Sequence, residues 1–237
     1  MSKRKTQKQT QKLFNNLTQI TNYDDDAEND DINSLSEETY PITSIPDGGV
    51  FSATVEDAQK SGEIPRMKKF RFQLLHFWLT KKFEPCKVAD IGGGKGFLAY
   101  LLQQSGWDAT VIDPVYQRLP EKYKDLNLNK RIKIPLDAAV PHINLKFERH
   151  LAKDFDLLVG MHAHACNVKI IDAAKEYKCN FVLLPCCIID EPLYPCIGVH
   201  WLECLADYAV QKGFVVQPFR LNFRGQNIGF YSVKQNN

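Results

Sequence analysis

Residues Lys87–Asp113 read KVADIGGGKGFLAYLLQQSGWDATVID, and their pattern indicates the fold of the whole domain. Its apolar run Val88–Ile91 ends in three consecutive glycines, and Gly96 follows two residues later. An apolar segment of helical length comes next, and a second apolar run ends at Asp113. Short apolar runs separated by a glycine turn and a longer periodic segment are typical of a strand, turn, helix and strand. The sequence therefore predicts an αβ unit with a tight glycine turn.

The turn and the acid after the second strand together indicate a ligand site. Glycines let the backbone turn sharply and approach a ligand, while the following helix adds N–H donors. Asp113 lies 21 positions after Gly92, where an acid can accept hydrogen bonds from a ribose diol. A dinucleotide fingerprint fits only weakly, because its last glycine would fall on Phe97 or, in the other register, on Ala99.

The pattern actually present is D-x-G-x-G-x-G, formed by Asp90, Gly92, Gly94 and Gly96. It resembles motif I of the class I S-adenosylmethionine (SAM) methyltransferases, in which this loop wraps the amino-acid end of SAM. The resemblance implies that these four residues bind SAM and that Asp113 holds its ribose. An NAD site and an αβ domain without a ligand are the alternatives.

Composition divides the 237-residue chain into a polar tail, residues 1–48, and a domain, residues 49–237. The tail is rich in Gln, Asn, Thr, Lys and Asp and poor in large apolar residues, which predicts disorder. Residues 1–50 hold 5 Lys/Arg and 9 Asp/Glu, a net charge of −4, whereas the rest holds 25 and 19, a net charge of +6. The basic start of the tail is open to interpretation as a nucleic-acid-binding arm, a nuclear address or a solubilising segment.

The sequence gives weaker indications of the cellular compartment and of the binding partners. Seven cysteines without an extracellular context are typical of reduced thiols in an intracellular protein, cytoplasmic or nuclear. No apolar run approaches the ~20 residues that span a bilayer, and no signal-peptide pattern opens the chain, so no membrane association is expected. The mildly basic domain is compatible with RNA, and a protein partner is also possible.

The remaining pattern predicts a complete α/β domain. A helix after Pro65 would place Phe70, Leu74, Phe77 and Trp78 towards the core. The fold expected from the resemblance is a Rossmann-like seven-stranded class I methyltransferase sheet, with helices on both faces, helices between the first six strands and a late antiparallel hairpin. Beyond the opening unit, the strands are predicted at 131–136, 155–161, 181–184, 214–219 and 228–233, and later helices at 168–177 and from Trp201 to Gly213.

An acid also follows the predicted third strand. Asp137 comes directly after the run Arg131–Leu136. In SAM folds an acid at this place commonly meets the adenine amino group, so the resemblance implies that role for Asp137. A plain surface acid is the alternative.

Two unusual sequences follow the predicted fourth and fifth strands, where ligands of open α/β sheets bind. They are GMHAHAC, Gly160–Cys166, and LPCC, Leu184–Cys187. Together with GKGFL, Gly94–Leu98, they resemble a methyltransferase-like family that includes a tRNA ribose 2′-O-methyltransferase, over about residues 66–234. The family's usual Gly-Asp after the cysteine is replaced here by Asn167 and Val168.

Four interpretations of these histidines and cysteines remain open. His162 could act as an acid or base near neutral pH, and Cys186 or Cys187 could be a nucleophile. The cysteines could also pack as small apolar groups. Metal binding by His162, His164, Cys166 and one paired cysteine is the fourth, but no metal is expected, because H-x-H-x-C lacks the usual spacing and adjacent cysteines should not both face one ion.

These observations combine into one functional hypothesis. The domain is expected to transfer a methyl group from SAM to RNA, tRNA or rRNA, with His162 and Cys186 as the catalytic candidates. The RNA preference comes from the family resemblance and the basic domain. A protein or small-molecule methyltransferase, or a SAM-fold module that binds without catalysis, is the alternative.

Overall fold

The computed structural model describes residues 64–196 and 199–233 of the chain. The predicted tail, residues 1–48, and the first part of the predicted domain lie outside the described residues. The helices are α1 (Arg71–Lys82), α2 (Phe97–Gln103), α3 (Asn167–Tyr177) and α4 (Trp201–Gln211), with 3-10 turns at Lys68–Phe70 and Arg149–Ala152. None of these helices has both the length and the apolar character needed to cross a bilayer.

Within the described residues, nine strands belong to two sheets. They are β1 (Lys87–Ile91), β2 (Asp108–Ile112), β3 (Lys122–Lys124), β4 (Arg131–Lys133), β5 (His142–Ile143), β6 (Leu157–Met161), β7 (Asn180–Leu184), β8 (Val215–Arg220) and β9 (Ile228–Val233). The large sheet has seven strands in the order β5-β2-β1-β6-β7-β9-β8. Its first five strands are parallel, whereas β9 is antiparallel to both β7 and β8. The predicted seven-stranded sheet with a late antiparallel hairpin is confirmed.

Helices cover both faces of this sheet, as the sequence predicted. Leu75 and Leu79 of α1 are fully buried with Val159 of β6 on one face. Ile170 of α3 and Leu205 of α4 are fully buried with the strands on the other face. All five residues of β6 are buried, as a strand covered on both sides requires.

The predicted core face of α1 is partly wrong. Phe70 is buried and the Trp78 ring stacks on Phe219 at 4.1 Å, but the fully buried positions of the helix are Leu75 and Leu79. Gln73 is buried too, because its amide donates to the Lys124 oxygen and accepts from the Leu126 N–H. A polar residue therefore fastens α1 to the segment that contains β3.

The predicted third strand is also wrong. Arg131–Lys133 pairs antiparallel with β3 in a separate two-stranded sheet, and Pro135, which cannot donate to a ladder, follows it. The third strand of the large sheet is β5, only two residues long, beside β2. Asp137 is therefore exposed in the connection between β4 and β5, and the premise for its adenine contact fails.

Two connections differ from the predicted alternation of strands and helices. The chain passes from β2 to β5 through the β3–β4 pair, and from β5 to β6 through a 3-10 turn. The β3–β4 pair packs its own small apolar group, in which Phe97 and Tyr123 lie 4.9 Å apart. The β3–β4 pair therefore occupies a position in the chain where a helix was expected.

Candidate functional site

The glycine loop, residues 92–96, joins β1 to α2 at the carboxyl edge of the parallel strands. Gly92, Gly94 and Gly96 all have left-handed backbone angles, with φ of +67°, +52° and +72°. Only glycine adopts this region without strain, which explains the spacing of the three residues. A Cβ on Gly92 would stand 3.1 Å from Cβ of Ala163, so the loop also lies directly against the segment that follows β6.

Asp90 lies beneath this loop. Its side chain is 2 % exposed, and its Oδ2 has no hydrogen-bond partner among the described residues. Burial raises the pKa of Asp90 to about 7, against a lowering hydrogen bond from the Ala99 N–H. A Cβ on Gly93 would stand 2.6 Å from Oδ2. The loop therefore leaves a cradle over a buried carboxyl oxygen that still requires a donor.

Asp113 stands at the rim of the same loop, just after β2. Its Oδ2 accepts the Gly94 N–H at 3.0 Å and its Oδ1 accepts the Val115 N–H at 2.9 Å. A carboxylate has about four acceptor positions, so each oxygen keeps one for a ligand. The two bonds hold the carboxylate beside the loop, where a pair of ribose hydroxyls could donate to it.

The edge strand β5 brings a different residue to the place predicted for Asp137. The Asp113 N–H donates to the Ile143 oxygen at 3.2 Å, which aligns the ends of β2 and β5. Asn144 follows directly and is exposed. Sequence reasoning missed it, since a two-residue strand has no detectable period.

His162 is held in a strained and enclosed position at the end of β6. It has a φ of +56°, a region unfavourable for non-glycine residues. Its Nε2–H donates to the Gln226 oxygen at 3.0 Å, and its backbone N–H donates to the Leu184 oxygen. Burial lowers the pKa of His162 to about 4, so the ring is neutral at neutral pH. These contacts favour a role in fastening β6 to the β8–β9 turn, and the predicted catalytic role stays a prediction.

His164, Cys186 and Cys187 form what we term the His–Cys cluster. Cys187 Sγ lies 3.3 Å from His164 Nδ1, Cys186 Sγ lies 3.5 Å from His164 Nε2, and the two sulfurs are 3.6 Å apart. The two adjacent cysteines therefore both lie against the His164 ring, each beside a different nitrogen, and the expectation that they would not share one ion stays a prediction. Cys166, a member of the metal set considered from the sequence, packs against the apolar core instead.

The three side chains differ in protonation. The hydrogen bond from Cys186 Sγ, aided by His164, lowers the pKa of the Cys187 thiol well below its usual value. The same bond raises the pKa of Cys186, and the contact with Cys187 raises the pKa of His164. These opposite directions favour Cys187 over Cys186 as the thiolate of the pair, and the catalytic role of Cys186 stays a prediction. Burial raises the pKa of Cys166 to about 11, which disfavours it as a nucleophile.

A buried carboxylate that sequence reasoning missed links the segments that follow β6 and β7, which carry the cluster. Glu191 follows β7 and is 2 % exposed. Its Oε1 accepts the Asn167 backbone N–H at 2.8 Å and the Asn167 side-chain amide at 2.7 Å, and its Oε2 accepts the Val168 N–H at 3.2 Å. Glu191 thereby caps α3 from another loop. No local signal could have revealed it, because the partners are 23 and 24 residues apart.

Comparison with known proteins finds relatives that share part of the chain. No protein-family model matches it. It is similar to a probable tRNA (uracil-O(2)-)-methyltransferase of Caenorhabditis elegans, with 35 % identity over 105 residues, 44 % of this chain and 18 % of that protein. A human protein of the same description is 28 % identical over 124 residues, 49 % of this chain and 15 % of that protein. The chain thus spans less than a fifth of these relatives.

Solved structures match the chain at low sequence identity and with TM-scores below 0.5. The crystal structure of magnesium protoporphyrin IX methyltransferase from Synechocystis PCC 6803 with bound SAM is 11 % identical, with a TM-score of 0.44, and the match covers 70 % of this chain and 79 % of that one. A glycopeptide N-methyltransferase complexed with S-adenosyl-L-homocysteine is also 11 % identical, with a TM-score of 0.42, over 77 % of this chain and 97 % of that one.

Proposed function

We propose that this domain binds SAM and transfers its methyl group to RNA. The observation that carries the proposal is the glycine loop over the carboxyl ends of β1 and β2, with Asp90 beneath it and Asp113 at its rim. Ligands of open α/β sheets bind at this edge. The relatives described as tRNA methyltransferases support the same activity.

The residues at this edge fit SAM. Bound SAM supplies a methyl group activated by a sulfonium centre. The glycine loop admits the amino-acid end close to the backbone, and the donor that Asp90 Oδ2 lacks is of the kind an ammonium group provides. Asp113 accepts the ribose hydroxyls with its remaining lone pairs, and Asn144 stands at the end of β5 for the adenine.

For methyl transfer, the main requirement on the protein is to align the acceptor atom with SAM. An SN2 step proceeds when the acceptor atom is held in line with the sulfonium, and positioning alone accounts for much of the barrier reduction. His162, neutral and engaged with Gln226, shapes the acceptor side by fixing the segment after β6. Ala163, the next residue of this segment, lies against Gly92 of the glycine loop. The segment after β6 therefore borders both the acceptor side and the SAM side of the proposed site.

Basic side chains near this edge support an RNA acceptor. Lys68 and Arg71 act electrostatically on His162, which places both near the site. The Arg66 backbone forms hydrogen bonds with residues 222–224. Arg66 and Arg224 therefore lie side by side on the two chain segments beside this edge. Positive groups around a SAM site are suited to the phosphates that accompany a nucleotide acceptor.

The experiment is transfer of label from methyl-labelled SAM by the full chain, first into total cell RNA and then into cell extract treated with ribonuclease or protease. Label that only ribonuclease removes is expected, and nucleoside analysis then distinguishes ribose from base. Label that only protease removes would overturn the RNA acceptor, and label in small molecules would do the same. SAM binding without any transfer would overturn catalysis and favour a binding module.

A further inference from the structure

The His–Cys cluster has the dimensions of a metal site. Among the residues that the structure describes, it is the one group of His, Cys and acidic side chains with three ligand atoms within 4.8 Å of one another. All seven cysteines and all six histidines of the chain lie between His76 and Cys204, so the tail contributes neither ligand type. Any site of mixed nitrogen and sulfur ligands must therefore come from this domain.

The distance between the two sulfurs matches tetrahedral coordination. A tetrahedral Zn²⁺ with Zn–S bonds of about 2.3 Å and Zn–N bonds of about 2.0–2.1 Å separates two sulfurs by about 3.8 Å, and a sulfur from a nitrogen by about 3.6 Å. The observed separations are 3.6 Å between the sulfurs, 3.3 Å from Cys187 Sγ to His164 Nδ1 and 3.5 Å from Cys186 Sγ to His164 Nε2, so each sulfur lies beside a different nitrogen of the ring. One ion can bind only one of these nitrogens. Both sulfurs and that nitrogen lie within 4.8 Å of one another, and a rotation of the exposed His164 side chain would let all three contact the ion.

The surroundings hold the ligands in place and leave one side open. The Ile189 backbone N–H donates to Cys187 Sγ, a contact that stabilises a thiolate. Glu191 fastens the loop that follows β7 to the start of α3, which keeps the cysteines opposite His164. His164 itself is exposed, so an ion can reach the cluster from solvent.

We propose that His164, Cys186 and Cys187 bind a single Zn²⁺ whose fourth position is open to water or another oxygen ligand. Thiolate and imidazole donors select zinc over magnesium or calcium, and three protein ligands with an open position are typical of catalytic rather than structural zinc. The site goes beyond the proposed methyl transfer, because none of its ligands belongs to the glycine loop.

Cobalt titration tests this directly. The full chain, reduced and freed of metal, is titrated with Co²⁺, which in a tetrahedral thiolate site gives strong visible bands and sulfur-to-metal charge-transfer bands in the near ultraviolet. We expect saturation at one Co²⁺ per chain, followed by displacement with Zn²⁺. The absence of the charge-transfer bands, or binding without defined stoichiometry, would overturn the proposal.

Matched variants identify the ligands. Cys186→Ser, Cys187→Ser and His164→Ala should each weaken Zn²⁺ binding by more than ~100-fold, since losing a direct ligand exceeds the 10- to 100-fold effect of losing an outer partner. Cys166→Ser is the control, because Cys166 lies in the same loop but packs against the core. Bands that survive in Cys187→Ser, or that disappear equally in Cys166→Ser, would overturn the assignment.

A folding check keeps these outcomes interpretable. Circular dichroism and urea unfolding are measured on each metal-free variant. Cys187→His restores a ligand atom, so it should recover part of the Zn²⁺ affinity if Cys187→Ser removed coordination rather than packing. No recovery in a folded Cys187→His protein would count against coordination. SAM is absent from every step, so failure here leaves methyl transfer untouched, and failure of methyl transfer leaves the zinc site untouched.

Discussion

At the scale of single residues, burial gives the two aspartates of the proposed SAM site different properties. Asp90 lies under the glycine loop with an unpartnered oxygen and a pKa raised by burial to about 7. Asp113 stands at the rim, with each oxygen accepting one backbone N–H. The first is therefore a buried carboxyl with an oxygen that still requires a donor, while the second is a fixed carboxylate at the rim of the loop.

Replacing Asp113 should weaken SAM binding without unfolding the domain. Asp113→Ala removes the ribose acceptor and the hydrogen bond to Gly94, so we expect a decrease of about 1–3 kcal/mol in binding free energy, or roughly 5- to 150-fold in Kd. Isothermal titration measures it. Asp125→Ala is the matched control, because Asp125 also accepts two backbone N–H groups but in the turn between β3 and β4. An equal decrease in both variants would show a general effect on stability.

His162 should make the fold sensitive to acid. Its folded pKa of about 4 lies below the ordinary 6.5, so the unfolded chain binds more protons in the window between these values. The free energy of unfolding therefore falls as pH drops from about 6.5 to 4, by up to about 3 kcal/mol. Urea unfolding across this window should show a flatter dependence in His162→Gln, whose amide can still donate to Gln226. An unchanged dependence would contradict the buried neutral ring, and exposed His150→Gln serves as the control.

The same residue has a kinetic prediction. His162→Ala should reduce turnover more than SAM affinity, because the side chain contacts Gln226 and Phe223 on the side where the acceptor is proposed to bind. Single-turnover rates and SAM titration measure the two effects separately. Equal decreases in both would identify His162 as a wall of the SAM site only.

At the scale of elements, the site consists of loops fixed by other loops. The glycine loop contacts the segment after β6 through Gly92 and Ala163. That segment leads into α3, which Glu191 caps from the loop after β7. Strand ends alone would leave these loops free to vary, so the contacts between them set the positions of the functional groups.

A methyl group on Gly93 should disrupt the glycine loop. In Gly93→Ala the Cβ would stand 2.6 Å from Asp90 Oδ2, so we expect SAM affinity to fall by more than about tenfold. Gly106→Ala is the contrasting control. Its Cβ meets nothing within 4 Å but its φ is +83°, so it should lower stability by about 1–3 kcal/mol and leave SAM affinity unchanged. Equal SAM affinities in the two variants would contradict the role of the cradle.

Removing the Glu191 cap should destabilise the domain. Glu191→Ala leaves the Asn167 and Val168 N–H groups buried without acceptors, so the free energy of unfolding should fall by about 2–3 kcal/mol. Glu176→Ala, in the last turn of the same helix with an exposed partner at 3.8 Å, should change it by less than about 1 kcal/mol. Urea unfolding compares them, and similar values would argue against the cap.

At the scale of the whole molecule, basic side chains lie near the carboxyl edge of the large sheet. The chain beyond residue 50 has a net charge of +6, and Lys68 and Arg71 lie near the carboxyl edge where SAM is proposed to bind. Lys153 lies just before β6, at the opposite edge. RNA bound for methylation should therefore depend on the first group and not on the second.

Salt dependence measures this difference. Lys68→Ala should weaken binding of bulk tRNA and reduce the slope of log K against log salt concentration by about 0.7–0.9 for each phosphate that the variant no longer neutralises. Lys153→Ala should leave both unchanged. Filter binding over a salt series gives the slopes, and equal effects of the two substitutions would show that RNA binds the domain without regard to the proposed edge.

Most of the large sheet and the glycine loop follow from the sequence alone. Continuous apolar runs such as Leu157–Met161 predict strands buried on both faces, and left-handed turns require the glycines at 92, 94 and 96. These features follow from local backbone geometry and from burial, which neighbouring residues encode. The carboxyl edge as the candidate site follows from them.

Only the tertiary structure decided which distant groups meet. The two-residue strand β5, the buried Gln73 and the Glu191 cap have no local pattern, because each depends on partners tens of residues away. Cys186 and Cys187 face His164 together only because the ends of β6 and β7 are adjacent in the sheet. Strand order, a long-range property, therefore converted two short motifs into one cluster.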